Sequence, residues 1–351
     1  MKEGANSKTG IRLSDRQRIN WLRLIRTENI GPVAFRDLIL FCGSAANAIE
    51  RLPDLNIRGG GSRPVRVSSL DDAERELEAI ENMGARLVGM GEPDYPQQLK
   101  NCEAPPPLVI IKGDANVFRK PPVAIVGSRN ASVVGARFTE KLARDLGDSG
   151  FAIVSGLARG IDAAAHKASM MSGTVAVLAG GLDRPYPPEN LPIYRAIPEN
   201  GGALITEMPM GAEPRARDFP RRNRIIAGLS LGLIVIEAAE RSGSLISADD
   251  VIESLAPLMP DGSILSDLEQ ADLLNQLDEE PAVLQPITTD MERDLMVDAL
   301  GPVPIDVDTL VRHVGISAGS AQLILLELDL AGRLLRYPGN QVALMPQEEH
   351  L

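Results

Sequence analysis

Apolar and polar positions alternate in blocks along the middle third of this 351-residue chain. Five short runs rich in β-branched residues, VAIVG, FAIVSG, TVAVLAG, ALITE and LGLIVIEAA, are almost wholly apolar. The segments between them, most clearly SVVGARFTEKLARDLGDSG and GIDAAAHKASMMSG, carry apolar residues at helical spacing. Strands with no polar face must be covered on both sides, so the pattern predicts an α/β domain, a doubly wound Rossmann-like parallel sheet. We place it at 70–258, with 70–120 as lead-in: LDDAERELEAIENMGARLVGM reads as a helix, a cap at Gly84 and a short strand, and a Pro-rich run precedes the strand in PPPLVIIKGD.

The flanks have other periods. From Ser14 to about Leu55 the spacing is helical, with Gly31 and Pro32 closing one helix and opening the next. This predicts a small helical domain of the SAM or helix-hairpin-helix kind over 12–60, followed by RGGGSRP as a linker. After an acidic linker at 259–287, the segments TTDMERDLMVDAL, DVDTLVRHVG and SAGSAQLILLELDLAG read as three helices. RLLRYPGNQVALM reads as a hairpin turned at Pro338, Gly339 and Asn340, giving a winged-helix domain over 288–346. The helix that would enter a major groove, Ser317 to Leu330, holds Glu327 and Asp329 and no Lys or Arg, so a structural or protein-contact role is expected.

Composition narrows the class. The first ten residues lack an apolar signal core, and no run reaches the roughly 18 apolar residues of a membrane span. Cys42 and Cys102 lie far apart, which predicts neither a disulfide framework nor a zinc site, and a cytoplasmic setting is expected. The net charge of −12 is unevenly spread: residues 1–121 hold 18 basic against 16 acidic residues, 122–248 hold 14 against 12, and 249–351 hold 4 against 20. The acidity therefore belongs to the last third, and the rest is free to present a basic surface.

The candidate chemistry lies at the strand ends, where a doubly wound sheet takes its ligands. The first strand gives Gly127, Ser128 and Arg129; the second Gly156, Arg159, Gly160, Asp162 and His166; the third Gly180, Gly181, Asp183 and Tyr186; the fifth Arg241, Ser242, Gly243 and Ser244. Glycines admit a polyanion to the backbone, helix N-termini offer N–H donors, and arginines complete a cradle for phosphate. Neither a P-loop nor a G-x-G-x-x-G fingerprint is present. The segment DFPRRNRIIAGLS adds Phe219, Arg221, Arg222, Asn223 and Arg224 at the same rim, and with Arg215 and Arg217 it places five arginines in ten residues. Basic residues beside an aromatic suit single-stranded nucleic acid; the plain alternative is a solvated turn pairing with Asp218 and Glu213. Asp162 and His166, one turn apart, read as a pair that fixes the loop. No nucleophile, carboxylate pair or metal-ligand spacing stands out, so a binder without cofactor or metal is expected rather than an enzyme.

VAIVGSRNAS, IVSGLARGIDAAAHKASM, GGLDRPYPPEN, ITEMPMGAEPRARDFPRRNRIIAGLS and VIEAAERSGSLISA together resemble the DNA-processing protein A family (DprA, also called Smf), over roughly 94–248. The resemblance implies a protein that binds incoming single-stranded DNA, more weakly duplex, during natural transformation. It also implies that the protein protects the DNA, displaces single-strand-binding protein and helps load the RecA recombinase, as a homodimer through the Rossmann-like domain. By position, Arg129, Arg159, Phe219, Arg221 and Arg224 would meet DNA, with Gly127, Ser128, Gly156, Gly160, Arg222, Asn223, Ser242, Gly243 and Ser244 around them. One departure is that Ala248 runs directly into DDVIESLAPL, where such proteins continue with a further strand unit; the splice reads as a helix from Ser244 to Leu258. The rival reading is a nucleotide hydrolase of the lysine-decarboxylase-like group, whose tight GGGxGT-type loop GGLDRPYP does not match.

Overall fold

The computed structural model describes residues 12–102, 104–237 and 288–345. They divide into two compact units, one made of Arg12 and Leu13 with residues from Glu74 to Glu237, the other of Ser14–Ala73 with the residues from 288 to 345.

All five apolar runs of the middle third are strands: β3 (Pro122–Gly127), β4 (Ala152–Ser155), β5 (Thr174–Val177), β6 (Ala203–Thr206) and β7 (Leu233–Ile236). Two lead-in strands, β1 (Arg86–Gly89) and β2 (Leu108–Gly113), join them in the order β1-β2-β6-β5-β4-β3-β7. The pairings from β6 through β7 are parallel, and β2 is antiparallel to both β6 and β1. Helix α4 (Leu70–Asn82) precedes β1, and helices α5 (Val133–Asp148), α6 (Ile161–Ala168), α7 (Leu191–Glu199) and α8 (Asp218–Gly228) connect the parallel strands. The strands are apolar on both faces because both are covered. Val109, Ala124, Val126, Val154, Val177 and Ile205 meet Ile225, Ile226 and Leu229 around α8, whereas Ile125, Ile153 and Ile236 meet Ala143 of α5 with Ile161 and Ala165 of α6. Strand order reverses between β3 and β7, so that is the switch point of the sheet.

The second unit joins residues 14–73 to the residues from 288 to 345. Helices α1 (Asp15–Arg26), α2 (Pro32–Cys42) and α3 (Ala45–Arg58) pack with α9 (Asp290–Ala299), α10 (Val307–Val314) and α11 (Ala318–Leu330). Gly31 and Pro32 sit at the N-cap and first position of α2, as expected. The wing is the hairpin of β9 (Leu334–Tyr337) and β10 (Gln341–Leu344), joined by a two-residue strand, β8 (Ile305–Asp306), that the sequence pattern does not reveal.

One expectation changes here, and another gains its physical reason. RGGGSRP is more than a linker: Gly59 lies against the backbone of α11, where an added Cβ would overlap the Glu327 carbonyl, and the Gly59 carbonyl accepts from Arg333 at 3.1 Å. Helix α11, the groove-reading position of a winged helix, is buried along nearly its whole length against α2, α3 and the wing. Glu327 is fully buried and accepts from Arg293 at 2.9 Å, and Gln322 donates to Asp37 of α2 at 3.2 Å. Its weak amphipathicity follows, because a helix covered all round needs no polar face.

Candidate functional site

The second strand-end loop is the most tightly determined backbone of the rim. Leu157 is buried with a left-handed φ of 57°, a conformation costly for a side chain with a Cβ. Three buried polar side chains hold it there. One Asp162 oxygen accepts from the Gly156 and Ala158 N–H groups at 3.1 and 3.2 Å. Asn190 donates to the carbonyls of Leu157 and Ala158, both at 2.9 Å. Arg222 of α8 donates through Nη1 to the carbonyls of Gly156 and Val177, at 2.6 and 2.8 Å. A Cβ at Gly156 would overlap the Arg222 guanidinium, so glycine here lets that side chain reach the two carbonyls. Gly160, at φ 70°, likewise lets this loop close onto the carbonyls of Ser128 and Arg129 in the first loop, and the Ile161 N–H donates to Ser128 at 3.2 Å.

Burial separates the arginines of the triplet. Arg222 is 6% exposed, and burial pulls its guanidinium down to about 10, Asp162 opposing and Arg129 adding to the fall. Arg224 donates to Glu207 and to the carbonyl of Ala104, and Arg221 donates to the other Glu207 oxygen at 2.9 Å. Asn223 is buried. The plain reading of the triplet also changes, since the pairing carboxylate is Glu207 at the end of β6, while Glu213 pairs with Arg184. Arg222 and Arg224 thus brace the loops, and Arg221 keeps about half of its side chain in solvent.

Asp162 and His166 do not pair. Asp162 holds the loop N–H groups, and burial raises its carboxyl against the opposing pull of Arg222 and those N–H bonds. His166 is fully buried with Nδ1 at 2.8 Å from the hydroxyl of Thr174, which itself donates to the Ile153 carbonyl at 2.9 Å. That chain makes Nδ1 the protonated nitrogen. Burial, with the nearby Arg222 charge, lowers the imidazole to about 3. Among the described residues, neither His166 Nε2 nor Arg222 Nε has a hydrogen-bond partner.

What faces outward is a smaller set. The Arg129 guanidinium lies 5.3 Å from the ring centroid of half-buried Phe219, and Arg222 lies 6.0 Å from the same ring. Tyr186, about half exposed, meets Phe219 edge-on at 5.9 Å and 64°. No carboxylate among the described residues pairs with Arg129, whereas Arg159 is engaged by Glu189 at 2.5 Å. Gly127 and Ser128 sit at the end of β3, where the Ser128 N–H donates to Ile236 of β7 at 3.1 Å. Ser242, Gly243 and Ser244, together with the splice after Ala248 and the acidic linker, lie outside the described residues.

The third loop is structural in its glycines: Gly180 and Gly181 admit the backbone of 209–214, and Asp183 accepts from the Gly211 N–H at 2.7 Å. Tyr186 is legible at a strand end but not as a ring beside Phe219. Glu207 and Asn190, which anchor the rim, have no signal in the sequence beyond standing at strand and helix ends. The arrangement joins Arg129, without a carboxylate partner among the described residues, two aromatic rings and a rigid backbone floor. Such a surface attracts phosphate and stacks a planar group.

Three family models match the chain: DNA recombination-mediator protein A over 86–268, a DprA-like N-terminal HHH domain over 15–79, and a DprA winged helix domain over 279–340. Protein Smf of Escherichia coli is 32% identical over 302 residues, covering 77% of this chain and 80% of that protein. The DNA processing protein DprA of Streptococcus pneumoniae is 44% identical over 161 residues, 45% of this chain and 56% of that one. Protein Smf of Synechocystis is 34% identical over 248 residues, 67% of this chain and 62% of that one. The X-ray structure of the S. pneumoniae protein superposes with a TM-score of 0.53 at 30% identity, over 70% of this chain and 85% of that chain.

Proposed function

The chain belongs to the DNA recombination-mediator protein A family, and on that premise we propose that its strand-end rim binds single-stranded DNA, phosphates at Arg129 and bases against Phe219 and Tyr186. The observation that carries this is the Arg129–Phe219 stack, an exposed guanidinium without a carboxylate partner among the described residues, seated on an aromatic face. Flexible single strands can bring a base and its phosphate to that pair together, which a stacked duplex cannot. Arg159 and Arg221 add charge at the edges, while Arg222, Asn223 and Arg224 keep the floor rigid. In this reading the protein acts without catalysis in the cytoplasm as a homodimer. It protects single strands, displaces single-strand-binding protein and helps load the RecA recombinase during transformation.

The test is fluorescence anisotropy of a labelled single-stranded oligonucleotide and its duplex over a salt series. Single-strand preference is expected, with a log–log salt slope of about −0.7 per phosphate contacted. Arg129→Ala is expected to weaken binding by roughly tenfold to a hundredfold, with stability within about 0.5 kcal/mol of wild type. Equal affinity for both forms, or an unaffected variant, would overturn the reading.

A further inference from the structure

In a doubly wound sheet the usual seat of a nucleotide phosphate is the N-terminus of the helix that follows the first strand, beside the switch point. Here that helix is α5 and the switch lies between β3 and β7. Its N-cap is Ser132, whose hydroxyl oxygen accepts from the Gly135 N–H at 3.0 Å. A capping box would add a Glu or Gln at the third helical position, reaching back to the N-cap N–H. That position is Gly135, so the box cannot be completed from within the helix.

Glu237 completes it from across the switch point. It follows β7 directly, with a left-handed φ of 55°, and its carboxylate accepts from the Ser132 N–H at 2.9 Å and from the Ser132 hydroxyl. A Cβ built on Gly135 would stand 2.5 Å from the Glu237 carboxyl carbon, so the carboxylate fills the space a third-position side chain would use. The absence of a side chain at Gly135 and the unusual backbone of Glu237 are two halves of one device. These bonds hold the Glu237 carboxyl below the usual carboxylate range.

We infer that Glu237 is a specificity-determining residue: it occupies the helix end where a free nucleotide would place its phosphate, leaving the arginine rim to bind the strand. This rests on the reading of the rim as a single-strand surface, and it explains how a nucleotide-type sheet takes a polymer in preference to its monomers. The Glu237 carboxylate takes the Ser132 N–H and hydroxyl and meets the same partial positive charge of the helix end that a phosphate would. Arg129, three residues before Ser132, stands outside this closed seat.

Calorimetric titration of the full-length chain with ADP and with inorganic pyrophosphate tests the inference. Wild type is expected to bind both weakly. Glu237→Ala is expected to bind them roughly tenfold tighter or more, and Glu237→Gln, which keeps an acceptor but loses the charge, is expected to fall between. Adding Gly135→Glu to Glu237→Ala rebuilds the box within the helix and should restore the weak binding of wild type. Equal nucleotide affinity in wild type and a folded Glu237→Ala protein overturns the inference, as does tight ADP binding by wild type. Should Glu237→Ala fail to fold by circular dichroism, the Glu237→Gln comparison decides. Strand anisotropy on the same samples separates the two readings: loss of strand binding in wild type removes the rim reading, while the ADP comparison stands or falls by itself.

Discussion

The rim of the parallel sheet and helix α11 are the two elements of this molecule that their folds would present to a nucleic acid, and they use charge in opposite ways. At the rim, Arg222 and Arg224 turn inward onto carbonyls and Glu207, and this leaves Arg129 outward on an aromatic ring. In α11 the acidic Glu327 is itself inside, held by Arg293, and the helix has α2 and α3 where a groove would need to be. Buried charge at the rim shapes an exposed surface; buried charge in α11 locks a helix into a core. A residue type at a binding position therefore says little until its burial is known.

Arg222→Ala should break the comparison most severely. It leaves two buried carbonyls without their donor and removes the positive charge near the buried Asp162 carboxylate, so a loss of about 3–5 kcal/mol by urea denaturation is expected, together with loss of strand binding. A variant that stays as stable as wild type would show that the loops hold themselves. His166 gives the next effect. Its folded value of about 3 lies below the ordinary 6.5, so the unfolded chain takes up a proton that the folded one refuses, and stability falls as pH drops from about 6.5 towards 3. The loss should approach about 1.4 kcal/mol per pH unit within that window. Asp162, Glu327 and Asp329, raised by burial, act with the opposite sign. Comparing urea midpoints of wild type and His166→Gln at pH 7 and pH 4 isolates the histidine, and an unchanged pH dependence would count against this account. Glu327→Gln should have the smallest effect, about 1–3 kcal/mol, because the amide keeps one hydrogen bond to Arg293. Strand affinity should not move; a drop would tie α11 to binding after all.

Much of the fold was legible because its signals are local. Five apolar runs, two amphipathic helices, the Gly31–Pro32 break and the Pro338–Asn340 turn each follow from their own residues. The family motifs also marked the rim. The use of each charged side chain was not legible, because Arg222 and Arg129 differ only in what the rest of the chain packs around them. The Asp162–His166 spacing allowed a helical pair, but backbone N–H groups and Thr174 lie closer to hand. Helix α11 could be read as unsuited to a groove from its lack of basic residues, yet only tertiary structure supplies α2 and α3 as its cover.

The packing of α2 and α3 on α11 has a consequence in time. Gly59 and Glu327, which touch, are separated along the chain by more than half of its length. At about 5–20 residues per second, the ribosome delivers the N-terminal helices roughly a quarter of a minute to a minute before the helix that covers them. Helices α2 and α3 are made before the sheet but completed after it, and the sheet can close while they still wait.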